Sequence, residues 1–187
     1  MADMETPAPR RIDPNRKQNI IEACLRVIAS RGVAGTSCRV VAAEAGVPLG
    51  SITYYFDGIH DLLHQSFDQF ARRSVLAFAE RMKTATNADE ACEAIAVSIE
   101  RDVLNNASDL NVNLEFYTLA ARDPTFRDIS DRWMVAIQKT IGRFFDAETS
   151  VLLDAMIEGL TLHRALGGEP RSQRAIRDGI RRIAFND

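Results

Sequence analysis

The sequence predicts an all-α fold of about nine helices, with a small N-terminal helical unit followed by a larger helical body. Three observations lead there. Apolar residues recur at spacings of three and four over most of the 187 residues, which gathers them on one face of a helix. Ser, Asn and Asp-Pro stand ahead of these stripes and glycines follow them, where helices are capped and ended. No segment shows the alternation of a half-buried strand, and there is no internal repeat.

Residues 1–12 hold two prolines and few apolar groups, so a flexible arm is expected. Asp13 is placed to cap a first helix, with Pro14 at its first position. Ile20, Cys24, Val27 and Ile28 share one face of it, and Gly32 ends it. Ser37 caps a second helix running to about Ala45; Gly46 breaks it, and Pro48 opens a short third helix ending near Phe56. After the Asp57-Gly58 turn a long helix is expected over roughly 60–83, with Leu63, Phe67, Phe70, Ala77, Phe78 and Met82 as its stripe. Asn87 followed by Glu90 has the spacing of a capping box, and Ala91, Ile95, Ile99 and Val103 mark the buried face beyond it. A helix follows over about 109–122, and Asp123-Pro124 opens another reaching about Phe145. Thr149 or Ser150 begins a helix ending at Gly167-Gly168, and Ser172 begins the last, with Ile176, Ile180 and Ile183. The expected division is an arm over 1–12, a first domain over 13–58 and a second over 59–187.

Composition narrows the function classes. The apolar fraction of 46% is enough for an ordinary core, and the net charge of −3 is small. It is unevenly spread: residues 9–56 carry seven Arg or Lys against three Asp or Glu, a local +4 that leaves −7 elsewhere. A basic N-terminal module on an acidic body points to an anionic partner for the module. Three widely spaced cysteines without a CxxC favour packing over redox chemistry, most clearly for Cys24 in its apolar stripe. No apolar run approaches ~18 residues, and the N-terminus lacks the apolar region of a signal peptide. A cytoplasmic protein without a membrane partner is expected.

Residues 38–56 then become informative. Helix, tight turn with Gly, and short helix is the helix-turn-helix pattern. Ala42, Ala43 and Ala45 let the two helices approach, and Gly46 supplies the positive backbone angle of the turn. Val41, Val47, Ile52 and Phe56 are expected to anchor the unit, leaving Leu49, Gly50, Ser51, Thr53 and Tyr54 outward or at the rim. Hydroxyl groups suit base edges and phosphates, and Gly50 admits close backbone approach. Ser37 and Arg39 lie where a helix start meets phosphate, and Arg10 and Arg11 sit on the arm. The competing reading is that Tyr54 and Tyr55 are core aromatics on a solvated helix.

Over residues 16–67 the chain resembles the N-terminal domain of the TetR family of transcriptional regulators. The resemblance lies in the helix with Ile20, Cys24 and Ile28, then RGVAGTS, VVAAEAGVPLGSITYYF and the DLL of 61–63. It implies a three-helix DNA-binding domain and a helical domain for ligand binding and dimerisation. It also implies a repressor that leaves double-stranded operator DNA when a small-molecule effector binds. Carried over by position, DNA contacts fall on Ser37, Arg39, Leu49, Gly50, Ser51, Thr53, Tyr54 and Tyr55. One departure stands out: Ile59 occupies the position where many members place a phosphate-contacting lysine. His60 beside it, or the Arg10–Lys17 arm, is the expected substitute.

Other signals are weaker. His60 and His64 in HDLLH have metal-ligand spacing, which keeps a metal-dependent hydrolase as an alternative, yet no third ligand is evident. No nucleophile, phosphate-loop or dinucleotide motif occurs, so no enzyme activity, metal or cofactor is expected. A regulator without an effector, either an activator or a chromosome-organising protein, is a further alternative. Candidates for lining a ligand pocket are Phe78, Met82, Asn113, Phe116, Tyr117, Trp133, Met134 and His163, with an ordinary core role as the competing reading for each. The last two helices are expected to form a homodimer through Leu152, Ala155, Met156, Gly159, Leu160, Ile176 and Ile180.

Overall fold

The computed structural model describes residues 14–103, 106–167 and 172–185. The Arg10 and Arg11 arm and Asp13 lie outside the described residues. Nine α-helices and no strand occur among the described residues. They are α1 (Arg16–Arg31), α2 (Cys38–Glu44), α3 (Leu49–Tyr55), α4 (Ile59–Met82) and α5 (Ala88–Ser98). After α5 comes a π-helical turn (Ile99–Val103), then α6 (Ala107–Ala120), α7 (Pro124–Ile141), α8 (Ala147–Ala165) and α9 (Gln173–Phe185). No helix among the described residues is long and apolar enough to cross a membrane.

Helix boundaries follow local hydrogen bonding. Helix α1 opens at Arg16 behind Asn15, later than the Asp-Pro signal places it, because Pro14 and Asn15 form a turn. The Asn87 side chain accepts from the Glu90 N–H at 2.9 Å, as the capping pattern requires. The Glu90 carboxylate reaches one residue further back, to the Thr86 N–H at 2.8 Å. Helix α7 stops at Ile141, short of Phe145, and a turn lets Phe144 and Phe145 pack against the body's core. Helix α8 starts early because the Asp146 carboxylate accepts from the Thr149 N–H at 2.8 Å. A carboxylate at this position satisfies an N–H that would otherwise lack a partner.

Two hydrophobic clusters form the interior. The first joins α1–α4 to α6 and α7, so the core of the N-terminal unit continues into the body. Its centre is Phe67, Phe116 and Phe126, all essentially buried, with ring centroids 5.2 and 6.0 Å from Phe67. The second cluster joins the C-terminal half of α4 to α5, α7, α8 and α9. Trp133 packs against both. Cys24 is buried in the first, and burial pushes its thiol up to about 11, which suits packing and not redox chemistry.

Candidate nucleic-acid interface and ligand cavity

The inner side of the α2–α3 unit is apolar. Val41 and Ile52 are completely buried, and Ala42 and Phe56 nearly so. Ser37 caps α2 by accepting from the Val40 N–H at 3.3 Å. Gly46 has φ +65°, and the Val47 N–H donates to Ala42 O at 3.0 Å, which turns the chain into α3. That backbone angle disfavours any residue with a Cβ. Arg26 Nε donates to Glu44 Oε1 at 2.8 Å and ties α2 to α1.

The outer side is open. Leu49, Gly50, Thr53 and Tyr54 are exposed, Tyr54 at 76%. Ser37 and Arg39 are exposed at the start of α2. A side chain at Gly50 would meet nothing within 4 Å. Ser51 is half-buried, and so is Tyr55, which packs on the core and meets the Tyr54 ring edge-on at 4.8 Å. Tyr55 therefore also acts as a support for Tyr54. Lys17 places its ammonium 5.6 Å from the Phe56 ring centre, adding a cation at the end of α3.

Ile59 is half-buried against the first core. The His60 ring contacts the body while its side chain stays 58% exposed. Its Nε2 lies 3.0 Å from Asp123 Oδ2 and 3.3 Å from Thr125 Oγ1, with Phe126 edge-on at 5.0 Å. The hydrogen bond from His60, helped by those from Thr125, holds the Asp123 carboxyl down at about 2. His64 also faces Phe126, at 5.6 Å. Among the described residues no group of three or more His, Cys, Asp or Glu is placed to hold a metal ion.

Helices α4, α6, α7 and α8, with Ser98 at the end of α5, line a cavity of about 150 Å³. Phe70 and Phe78 of α4 and Trp133 and Ile137 of α7 supply its apolar wall. Asn113 of α6 and Asp154, Glu158 and Thr161 of α8 supply a polar one. Arg73 and Asp109, also at the cavity, pair at 3.0 Å between α4 and α6. Asp154 is buried and accepts from Gln138 Nε2 at 2.8 Å; burial pushes its carboxyl up. Burial likewise pushes up Glu158, which accepts a short hydrogen bond from the Tyr117 hydroxyl. Asn113 Oδ1 is buried without a hydrogen-bond partner.

Of the residues expected at a pocket, Phe78, Asn113 and Trp133 line this one. Tyr117 is bonded to the lining residue Glu158. Met82 and Phe116 do not line it: they are buried in the two cores. Met134, one position past Trp133, is rotated outward and is 41% exposed, and His163 is exposed near the end of α8. Sequence reasoning missed Asp154, Glu158 and Thr161. Their signal is polar residues at i, i+4 and i+7 on an otherwise apolar helix. The Arg73–Asp109 pair spans two helices and has no such local signal.

The residues expected at a dimer interface divide in two. Ile176 and Ile180 are buried inside the protomer at 2% and 0%, in the core shared with α5, so they offer no surface to a partner. Met156 and Leu160 are half-buried against that core, and a side chain at Gly179 of α9 would come within 2.9 Å of Met156 Cε. Leu152 and Ala155 are exposed, and a side chain at Gly159 would meet nothing within 4 Å. With Val151, Leu162 and Leu166 they form an exposed apolar stripe along α8.

Residues 20–65 match the family model described as bacterial regulatory proteins, tetR family. Residues 86–184 match that described as tetracyclin repressor-like, C-terminal domain. HTH-type transcriptional regulator BetI of Burkholderia mallei (strain NCTC 10229) is 28% identical over 169 residues, which cover 86% of this chain and 87% of BetI. Among solved structures, the transcriptional regulator SCO7518 from Streptomyces coelicolor A3(2) is 42% identical, with a TM-score of 0.85 over 92% of this chain and 99% of that one. Multidrug binding protein EbrR complexed with imidazole is 28% identical, with a TM-score of 0.79 over 98% of this chain and 97% of that one.

Proposed function

Because the chain belongs to the TetR family of helix-turn-helix transcriptional regulators, we propose that it is a dimeric cytoplasmic repressor released from a palindromic operator by a small molecule. In this reading residues 13–58 read DNA, and 59–187 bind the effector and the second subunit. The DNA contacts are Ser37, Arg39, Leu49, Gly50, Ser51, Thr53 and Tyr54, with Tyr55 supporting Tyr54.

The observation that carries the reading is the course of α4. Its Leu62, Leu63 and Phe67 lie in the core shared with α1, and its Phe70, Arg73 and Phe78 lie at the cavity. A ligand that favours one placement of α4 therefore also favours one placement of the DNA-reading unit. Moving such an equilibrium from 1:99 to 99:1 takes about 5.5 kcal/mol of differential affinity. The exposed stripe on α8 would pair two protomers and set two α3 helices against successive major grooves, about 34 Å apart. EbrR, a multidrug binding protein solved with ethidium, proflavin and malachite green, supports a ligand-binding role for this fold.

Fluorescence anisotropy on DNA from the protein's own promoter region tests the first step. Binding much tighter than to random DNA at moderate salt is expected; equal affinity would overturn it. The effector step is tested by whether a molecule that quenches Trp133 also releases that DNA.

A further inference from the structure

We propose that the cavity selects small aromatic cations bearing an N–H donor, with Glu158 and Asp154 as counter-charge and Asn113 Oδ1 as hydrogen-bond acceptor. This rests on the cavity being the ligand site.

The cavity's charges are unbalanced toward negative. Asp154 is held by the Gln138 amide and Glu158 by the Tyr117 hydroxyl, and no Lys, Arg or His among the described residues pairs with either. The lining cation, Arg73, already pairs with Asp109 at 3.0 Å and lies 5.5 Å from the Phe70 ring centre. An anion entering the cavity would meet two carboxyl groups whose ionisation is already opposed by burial and, at Glu158, by the nearby Asp154. A cation would favour their ionised forms and offset the repulsion at Glu158.

A second observation concerns Asn113, whose side chain neighbours the Tyr117 hydroxyl that holds Glu158. Asn113 is 8% exposed, lines the cavity, and leaves its Oδ1 without a partner. Buried acceptors in native proteins are nearly always satisfied, so this oxygen marks where a donor belongs. The cavity lining also offers Phe70, Phe78 and Trp133, aromatic surface that attracts a cation and the apolar body attached to it.

Trp133 is the only tryptophan, so its fluorescence reports binding to the full-length protein. Four probes of similar shape separate the contributions: 3-phenylpropylammonium, its N-trimethyl derivative, 3-phenylpropanol and 4-phenylbutyrate. The ammonium is expected to bind about tenfold tighter than the alcohol, the trimethyl compound more weakly than the ammonium, and the carboxylate weakest. In the D154N/E158Q variant, checked for folding by thermal melting, the ammonium-to-alcohol ratio should fall to near one with alcohol affinity retained. Should that variant not fold, E158Q alone should lower the ratio several-fold. Equal affinities for ammonium and alcohol would overturn the cation assignment while leaving the cavity as a ligand site. Tight carboxylate binding, or a cation preference that survives the substitutions, would also overturn it. No response to any probe would overturn this proposal, whereas operator release by some other molecule would keep the effector reading standing.

Discussion

His60 Nε2 lies 3.0 Å from Asp123 Oδ2, joining the first turn of α4 to the residue that caps α7. Asp123 Oδ1 meanwhile accepts from the Thr125 N–H at 2.9 Å. One carboxylate thus serves the entry to the DNA-reading unit and the start of a helix that lines the cavity.

That arrangement has a pH signature. The folded Asp123 carboxyl is held at about 2, below its ordinary 3.8, by His60 and then Thr125. Its contribution to stability is therefore complete above the ordinary value and is lost as pH falls toward 2. Asp123→Asn should flatten stability across that window. Urea denaturation over an acid pH series, with the carboxyl followed by NMR, measures both. A wild-type carboxyl titrating near 3.8 would contradict the geometry.

Tyr54 and Ile52 should separate DNA reading from folding. Tyr54 is 76% exposed and Ile52 is 0% exposed. Tyr54→Ala should weaken operator binding by about 1–3 kcal/mol with an unchanged melting temperature. Ile52→Ala should cost about 2–5 kcal/mol of folding stability. Anisotropy and chemical denaturation of the two variants provide the comparison.

Gly46 should resist substitution for a backbone reason. Its φ is +65°, while a Cβ there would touch nothing within 4 Å. Gly46→Ala should therefore cost about 1–2 kcal/mol through conformation alone, and Gly46→Asn less. Equal stability of both variants with wild type would show the turn to be freer than its geometry implies.

The α8 stripe should decide oligomeric state. Leu152 and Leu162 are 50% and 42% exposed. Leu152→Glu with Leu162→Glu should give a folded monomer in sedimentation, with operator affinity reduced because two linked half-sites bind more tightly than one. Ile180→Glu, by contrast, should unfold the protomer, since Ile180 lies inside it.

Much of the helical plan was legible in the chain because the signals are local. Ser37, Asn87 and the Asp123-Pro124 pair act within one turn of themselves, and each caps the helix it precedes. Pro14 and Phe145 misled for the same reason: a good local signal was overruled by a turn or by burial elsewhere. The inward and outward sides of α3 were also readable, since Ile52 and Phe56 repeat at helical spacing.

What the sequence determined by itself was the helix order and the helix-turn-helix unit, because periodicity, caps and turn residues are short-range properties; the family came from the resemblance of residues 16–67 to its known members. Tertiary structure decided which faces meet. It placed Ile176 and Ile180 inside the protomer, left Leu152 and Leu162 outside, turned His60 toward Asp123, and gathered Asn113, Asp154 and Glu158 around one cavity. Those outcomes depend on how several helices pack at once, and apolar spacing along one helix cannot say whether its stripe is covered by its own chain or by another.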